Sequence, residues 1–232
     1  MSKKLFGIIG AMDIEVDGLK AVMNDLKTET HGGIKFALGK IGETDVVVAK
    51  CGIGKVFAAM CAQTMILCYA PDFIINTGVA GSLSSGVGVL DMVIAKDVVE
   101  YDMDTSPLGD PVGLISGFDE VHIKSDESLS KKIKDVAVGL GINAVSGTIA
   151  SGDTFVADDD EKLRLAEDFG AVACEMEGAA IGQVCKADGV PFAVVRSISD
   201  GGNDDAAMSY AEFAVKAADR SVGVLKTFFE GK

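Results

Sequence analysis

The chain has 232 residues, of which 48% are hydrophobic and 24% charged, a composition that builds a substantial core in one large α/β domain or two small ones. Lys and Arg number 21 against 35 Asp and Glu, a formal net charge of -14 with no basic cluster, which argues against nucleic acid and other polyanions as partners. No apolar run reaches the ~20 residues of a membrane span, and the start Met1-Ser2-Lys3-Lys4-Leu5 lacks the long apolar region of a signal peptide, so it reads as the lead into a first strand.

Leu5 to Ile9 reads as a buried strand closed by the turn Gly10-Ala11-Met12, and Ile14 to Leu26 carries apolar residues at nearly helical spacing. Ile34 to Leu38 and Asp45 to Ala49 read as two strands. Gly52-Ile53-Gly54 opens a helix from Val56 to Tyr69 that Pro71 ends. Phe73 to Asn76 is a short strand before the glycine-punctuated turn Gly78-Val79-Ala80-Gly81-Ser82, and Val93 to Val99 is another. Asp102 to Asp126 is rich in Pro, Gly, Asp and Ser, and a long irregular stretch in a compact domain is usually functional or mobile.

A helix over Ser128–Leu140 and a strand over Ala144–Ala150 follow. Two more helices are expected over Asp160–Phe169 and Glu175–Ala187, then a final strand, Phe192–Ile198, and a closing helix, Ala206–Phe229. Strands alternating with helices predict a largely parallel or mixed sheet in a single α/β domain. The five cysteines are odd in number and form no Cys-x-x-Cys. Cys61 and Cys68 share a helix face, and all read as reduced core thiols of a cytoplasmic protein.

The last strand runs into Arg196-Ser197-Ile198-Ser199-Asp200 and the pair Gly201-Gly202, a charged end of the kind that meets ligands in open α/β sheets. Asp200 reads either as a cap of the turn into the closing helix or as a proton-handling group, and Arg196 as an ion-pair partner or a site residue. Glu15 is either a first-turn acid favoured by the helix dipole or a base on water at the ligand rim. Glu175 and Glu177, two apart, would point about 200° apart on one helix. They read as solvated helix-start residues or as acceptors for a sugar diol.

Neither Gly7 to Met12 nor Gly52 to Val56 matches a nucleotide-phosphate motif: the first lacks the Gly-x-Gly-x-x-Gly spacing, the second the upstream glycine. His31 and His122 lie in unrelated polar stretches without metal-ligand spacing, which disfavours a metal site or a Ser-His-Asp mechanism.

Six segments in order, Gly10 to Val16, Cys51 to Val56, Asn76 to Gly81, Ser151 to Phe155, Glu175 to Glu177 and Arg196 to Asp200, closely resemble the 5′-methylthioadenosine/S-adenosylhomocysteine nucleosidases of the purine nucleoside phosphorylase superfamily. The resemblance implies one nucleoside phosphorylase-like α/β domain over 1–232, a central mixed β-sheet flanked by helices, a homodimer, and no metal or cofactor. It implies hydrolysis of the N-glycosidic bond of a 5′-thio-substituted adenosine, with 5′-deoxyadenosine as a further substrate. Carried onto this sequence, Glu15 is the base on water, Asp200 the acid at adenine N7, and Ser199 the residue that positions Asp200. Glu177 holds the ribose hydroxyls, with Glu175 beside it and Met176 against the sugar, and Arg196 lies near the water and Glu15. Phe155 stacks on adenine, the Val156 backbone reads its edge, Ile53 lines the alkylthio pocket, and Ala80 and Gly81 flank sugar and base.

One departure is Val79, where many such relatives carry serine; Thr77 or the backbone would then orient the water. Leu108 or Pro111 of the irregular stretch could reach across a dimer interface. The alternatives are a phosphorolytic nucleoside phosphorylase, a hydrolase of a related nucleoside such as futalosine, and a silent nucleoside-binding module.

Overall fold

Ile8 and Ile9 are neighbours in the first strand, both fully buried, yet they enter different cores because successive side chains leave opposite faces of a sheet. The computed structural model describes residues 4–201 and 206–231. Its elements are β1 (Leu5–Gly10), α1 (Asp13–Lys20), β2 (Asn24–His31), β3 (Ile34–Ile41), β4 (Thr44–Lys50), α2 (Lys55–Tyr69), β5 (Phe73–Ser82) and β6 (Met92–Glu100). There follow β7 (Ile123–Lys124), α3 (Glu127–Gly139), β8 (Ala144–Ser151), α4 (Asp159–Phe169), β9 (Ala171–Glu175), α5 (Gly178–Asp188), β10 (Phe192–Asp200) and α6 (Ala206–Glu230).

The strands form one mixed sheet. β1 runs parallel to β4 and β5, β10 parallel to β5, and β8 parallel to β6 and β9. The β10–β6, β5–β9, β3–β4 and β2–β3 pairs are antiparallel. Because β5 pairs with both β10 and β9, the strands β5, β10, β6, β8 and β9 close on themselves, and β1, β4, β3 and β2 extend from them as an open wing. Closure, which alternation alone does not predict, brings the ends of β5, β8, β9 and β10 around one opening.

Helices cover both faces. Cys61 and Met65 of α2 and Ile181 and Cys185 of α5 meet Ile9, Val47 and Ile74 on one side; Leu19 of α1, Ile133 of α3 and Leu225 of α6 meet Ile8, Val48 and Ile94 on the other. Truncating a fully enclosed residue such as Ile9 to Ala costs about 2–5 kcal/mol.

Several elements differ from expectation. The first helix stops at Lys20, and Asn24–His31 is an almost wholly exposed edge strand whose polar residues show no two-residue apolar period. Strand β5 continues through the expected turn to Ser82, and β10 continues to Asp200 with every residue buried, so the charged end is strand and not turn. Ala171–Glu175 is a strand, so α5 begins at Gly178 and the two carboxylates of Glu175 and Glu177 do not share a helix. Cys68, near the end of α2, is exposed while Cys61 is buried. In the irregular stretch only a 3-10 turn, Ser106–Leu108, and β7 are regular. Residues 1–3 of the lead into β1, Gly202, and the turn over 202–205 that Asp200 would cap lie outside the described residues.

Candidate active site

A cleft opens where β1, β5, β9 and β10 end, the edge at which an α/β sheet presents its ligands. Ala11, Met12 and Glu15 reach it from the start of α1, and Ile53 from the turn before α2. Val79, Ala80 and Gly81 come from β5, Thr154, Phe155 and Val156 from the loop after β8, and Cys174 to Glu177 from the β9–α5 junction. Ser199 and Asp200 come from β10 and Tyr210 from α6.

Glu15 combines both of its sequence readings. Its Oε2 accepts the Ala11 N–H at 2.7 Å and the Met12 N–H at 3.0 Å, closing the first turn of α1, while Oε1 accepts the Val79 N–H at 3.1 Å. Gly78 permits this approach, since a Cβ there would sit 2.6 Å from Oε1. Burial raises the Glu15 pKa, opposed by the Arg196 charge and by these three N–H groups. The Val79 backbone therefore holds the carboxylate without a side-chain hydroxyl. Thr77, the other expected aid, is fully buried away from the cleft, and its Oγ has no partner.

Asp200 is aimed by a bulge. Ile198 pairs with Ala80 and Asp200 with Gly81, so Ser199 is an extra residue in β10, and bulges commonly re-aim side chains beside active sites. Gly81 again leaves room, because a Cβ there would lie 2.9 Å from Asp200 Oδ2. Burial raises the Asp200 pKa, and the Ser199 hydroxyl and Lys162 oppose it. Each site carboxylate is thus stripped of solvent but met by a donor.

The β9–α5 junction divides its two acids by task. Glu175 accepts from the Ser151 hydroxyl, from Arg196 and from the Glu177 and Gly178 N–H groups, so its carboxylate caps α5 and anchors Arg196. Glu177 is freer: Oε1 accepts the Gly54 N–H at 2.8 Å, and Oε2 lies 3.8 Å from Arg196. Burial, then the Glu175 charge, raises its pKa to about 7.

Arg196 itself is 1% exposed and stands behind the cleft wall. It donates to Asn76 Oδ1 at 2.5 Å, and its Nε has no protein acceptor.

The ring of Phe155, half exposed, meets Tyr210 edge to face at 5.5 Å. Tyr210 Oη donates to Met12 Sδ at 3.3 Å. The sequence reading brought Glu15, Ile53, Ala80, Gly81, Phe155, Val156, Glu175, Met176, Glu177, Ser199 and Asp200 to one cleft wall, with Arg196 alone set back. It missed Ala11, Met12, Thr154, Cys174 and Tyr210. Tyr210 enters from α6, which packs on the same face as α1, and no motif spacing ties it to a strand end. Among the described residues no group of three or more His, Cys, Asp or Glu side chains is arranged to hold a metal ion, and no helix is long and apolar enough to cross a membrane.

A family model described as the phosphorylase superfamily matches residues 5–230. A 5′-methylthioadenosine/S-adenosylhomocysteine nucleosidase of Shewanella loihica is 39% identical over 217 residues, which cover 93% of this chain and 94% of that protein. Among solved structures, S-adenosylhomocysteine nucleosidase from Streptococcus pyogenes in complex with 5-methylthiotubericidin superposes with a TM-score of 0.94 at 32% identity, covering 100% of this chain and 98% of that one. Futalosine hydrolase of Helicobacter pylori superposes with a TM-score of 0.92 at 35% identity, covering 99% of this chain and 98% of that one.

Proposed function

The chain belongs to the 5′-methylthioadenosine/S-adenosylhomocysteine nucleosidases of the phosphorylase superfamily, and from that premise we propose that it hydrolyses the N-glycosidic bond of both nucleosides, releasing adenine and a 5-substituted ribose. The observation that carries this reading is the pair of buried carboxylates, Glu15 and Asp200, held on different elements of one cleft with raised proton affinities.

Departure of adenine leaves an oxocarbenium-like sugar, and a base that gains a proton leaves more easily. An ordinary aspartate, with a pKa of about 3.9, is ionised at neutral pH; the buried Asp200 holds its proton longer and delivers it to N7, with Ser199 orienting the carboxyl. Glu15 takes the proton of the attacking water, and the Arg196 charge behind it favours the ionised carboxylate that does so. Glu177 accepts hydrogen bonds from the ribose hydroxyls, Phe155 stacks on adenine, the Val156 backbone reads its edge, and Ile53 borders the 5′ substituent.

Water is the nucleophile. A phosphate dianion needs cations and N–H donors around it, whereas Glu15 presents a carboxylate that already consumes the Ala11, Met12 and Val79 donors. Salvage of the methionine and S-adenosylmethionine cycle in the cytoplasm follows from these substrates. A homodimer is supported by the exposed apolar residues Val56, Phe57, Met60 and Leu67 along α2, next to Ile53.

The test is adenine release by the purified protein from methylthioadenosine, adenosylhomocysteine, 5′-deoxyadenosine and futalosine, with and without phosphate. Release from the first two without phosphate is expected. A rate that requires phosphate makes the protein a phosphorylase, and exclusive turnover of futalosine makes it a hydrolase of that nucleoside.

A further inference from the structure

One cation near the cleft lies outside the reaction described above. Lys55, the first residue of α2, places Nζ 3.2 Å from Oε2 of Glu100, the last residue of β6, and 2.6 Å from Oδ1 of Asp102, two residues on. Its own backbone N–H donates to Asp153 Oδ1 at 2.8 Å, and the Asp153 N–H donates to Asp102 Oδ2 at 3.0 Å. Three separate chain turns, after β4, β6 and β8, are thus fastened at one point. The residue before Lys55 is Gly54, whose N–H donates to Glu177 Oε1 at 2.8 Å, and before that comes Ile53 on the cleft wall.

We propose that Lys55 is a positioning residue for sugar binding: with Glu100, Asp102 and Asp153 it clasps the Gly52-Ile53-Gly54 turn across the cleft, so that the Gly54 N–H holds one oxygen of Glu177. The inference rests on the reading of Glu177 as the ribose acceptor. The bond matters because a carboxylate oxygen that accepts one fixed N–H still has a lone pair for a hydroxyl, and its rotamer is no longer free. Ordering that side chain before the sugar arrives removes a cost otherwise met on binding.

The clasp also acts on protonation. The groups facing Glu177 are Glu175 from β9, Arg196 from β10, Glu15 from α1, and the Gly54 amide; Tyr210 of α6 and Cys51 also feel its charge. Of these, Arg196 and the Gly54 N–H favour the carboxylate, while Glu175 and Glu15 oppose it. Losing the Gly54 bond therefore lets Glu177 keep its proton to higher pH, and a protonated Glu177 accepts the ribose hydroxyls less well.

The experiment uses the full-length enzyme with methylthioadenosine, measuring kcat and KM below and above about pH 7 for Lys55→Met, Lys55→Arg, the double variant Lys55→Met/Asp102→Asn, and Glu177→Gln. Lys55→Met is expected to raise KM roughly 10-fold, the scale of one lost hydrogen bond to a charged group, with a smaller change in kcat. The increase is expected to be greatest below pH 7 and to shrink above it, with Lys55→Arg close to the parent and the double variant matching Lys55→Met. An unchanged KM, or a rise equal at every pH, overturns the proposal. So does a double variant with the parent KM, because the fault then lies in unpaired carboxylates and not in the turn. A normal KM in Glu177→Gln overturns the ribose reading and the clasp together; a raised one beside a normal Lys55→Met overturns the clasp alone.

Discussion

Ser199 and Asp200 are joined side chain to side chain, with the Ser199 hydroxyl donating to Asp200 Oδ1 at 2.8 Å at the bulge that ends β10. The bond orients a carboxyl that burial has made a stronger proton holder. Asp200→Asn keeps the shape and the Ser199 contact but has no acidic proton to give. Its kcat for adenine release is expected to fall by about 10²–10⁴-fold, the usual worth of general acid help, with KM changed much less. A near-normal kcat would remove Asp200 from the chemistry.

Ser199→Ala tests the same pair through pH. The Ser199 hydroxyl favours the ionised form of Asp200 and so works against its raised proton affinity. Removing that donor raises the Asp200 pKa further, and the proposed acid role needs Asp200 protonated. The alkaline limb of kcat/KM for methylthioadenosine is therefore expected to move to higher pH, even if the maximum drops from lost orientation. Movement to lower pH contradicts the assignment.

At Glu15 the substitution to Gln is the informative one, because the amide oxygen can still accept the backbone N–H groups at the start of α1. Thermal stability should fall only by the buried Val79 N–H bond that the Gln NH2 cannot accept, about 1–3 kcal/mol, while kcat drops by about 10²-fold or more from loss of the proposed base. Stimulation of the variant by phosphate would mean that the cleft had been a phosphorylase site held shut by the carboxylate.

The order of glycine and acid motifs was enough to bring Glu15, Glu177 and Asp200 to one place, because each lies at or just beyond a strand end, where an α/β sheet presents its ligands. Their arrangement was not visible. Alternation in Phe192–Ile198 marks a strand, but nothing in the pattern says that it continues buried to Asp200, since polar residues there are satisfied by Asp91, Ala80 and Glu175 from other elements. Glu175 and Glu177 look alike in sequence; only the β9 end at Glu175 makes the first a helix cap and leaves the second free. The exposed strand Asn24–His31 was hidden for the opposite reason, as an edge with no apolar face to announce it.

Glu177 links the site to stability. Its folded pKa of about 7 lies above the ordinary 4.5, so its contribution to stability is fully present below about 4.5 and is lost as pH rises through about 7. Glu177→Gln does not titrate, and the raised groups Glu15 and Asp200 are common to both proteins. The parent's melting temperature relative to the variant's is therefore expected to fall from about pH 4.5 and to level off above about pH 7. Bound ligand that uses the carboxylate should reverse the trend for the parent alone. Parallel melting curves at all pH values would place the Glu177 pKa near its ordinary value.

The α2 surface carries the last expectation. Val56, Met60 and Leu67 follow one another at helical spacing with 70%, 47% and 76% of their surface exposed, and Phe57 lies beside them at 54%. Scattered apolar residues need no partner, but a contiguous row beside a ligand cleft marks an interaction surface. Met60→Asp places a charge in the middle of that row without touching the buried face of α2, where Ala58, Cys61, Ala62 and Met65 pack. In a homodimer sealed along α2 the variant sediments as a monomer at concentrations where the parent is dimeric, with the helical content unchanged. A parent that is already monomeric, or a variant that stays dimeric, moves the interface elsewhere, with the exposed Leu108 as the next surface to charge.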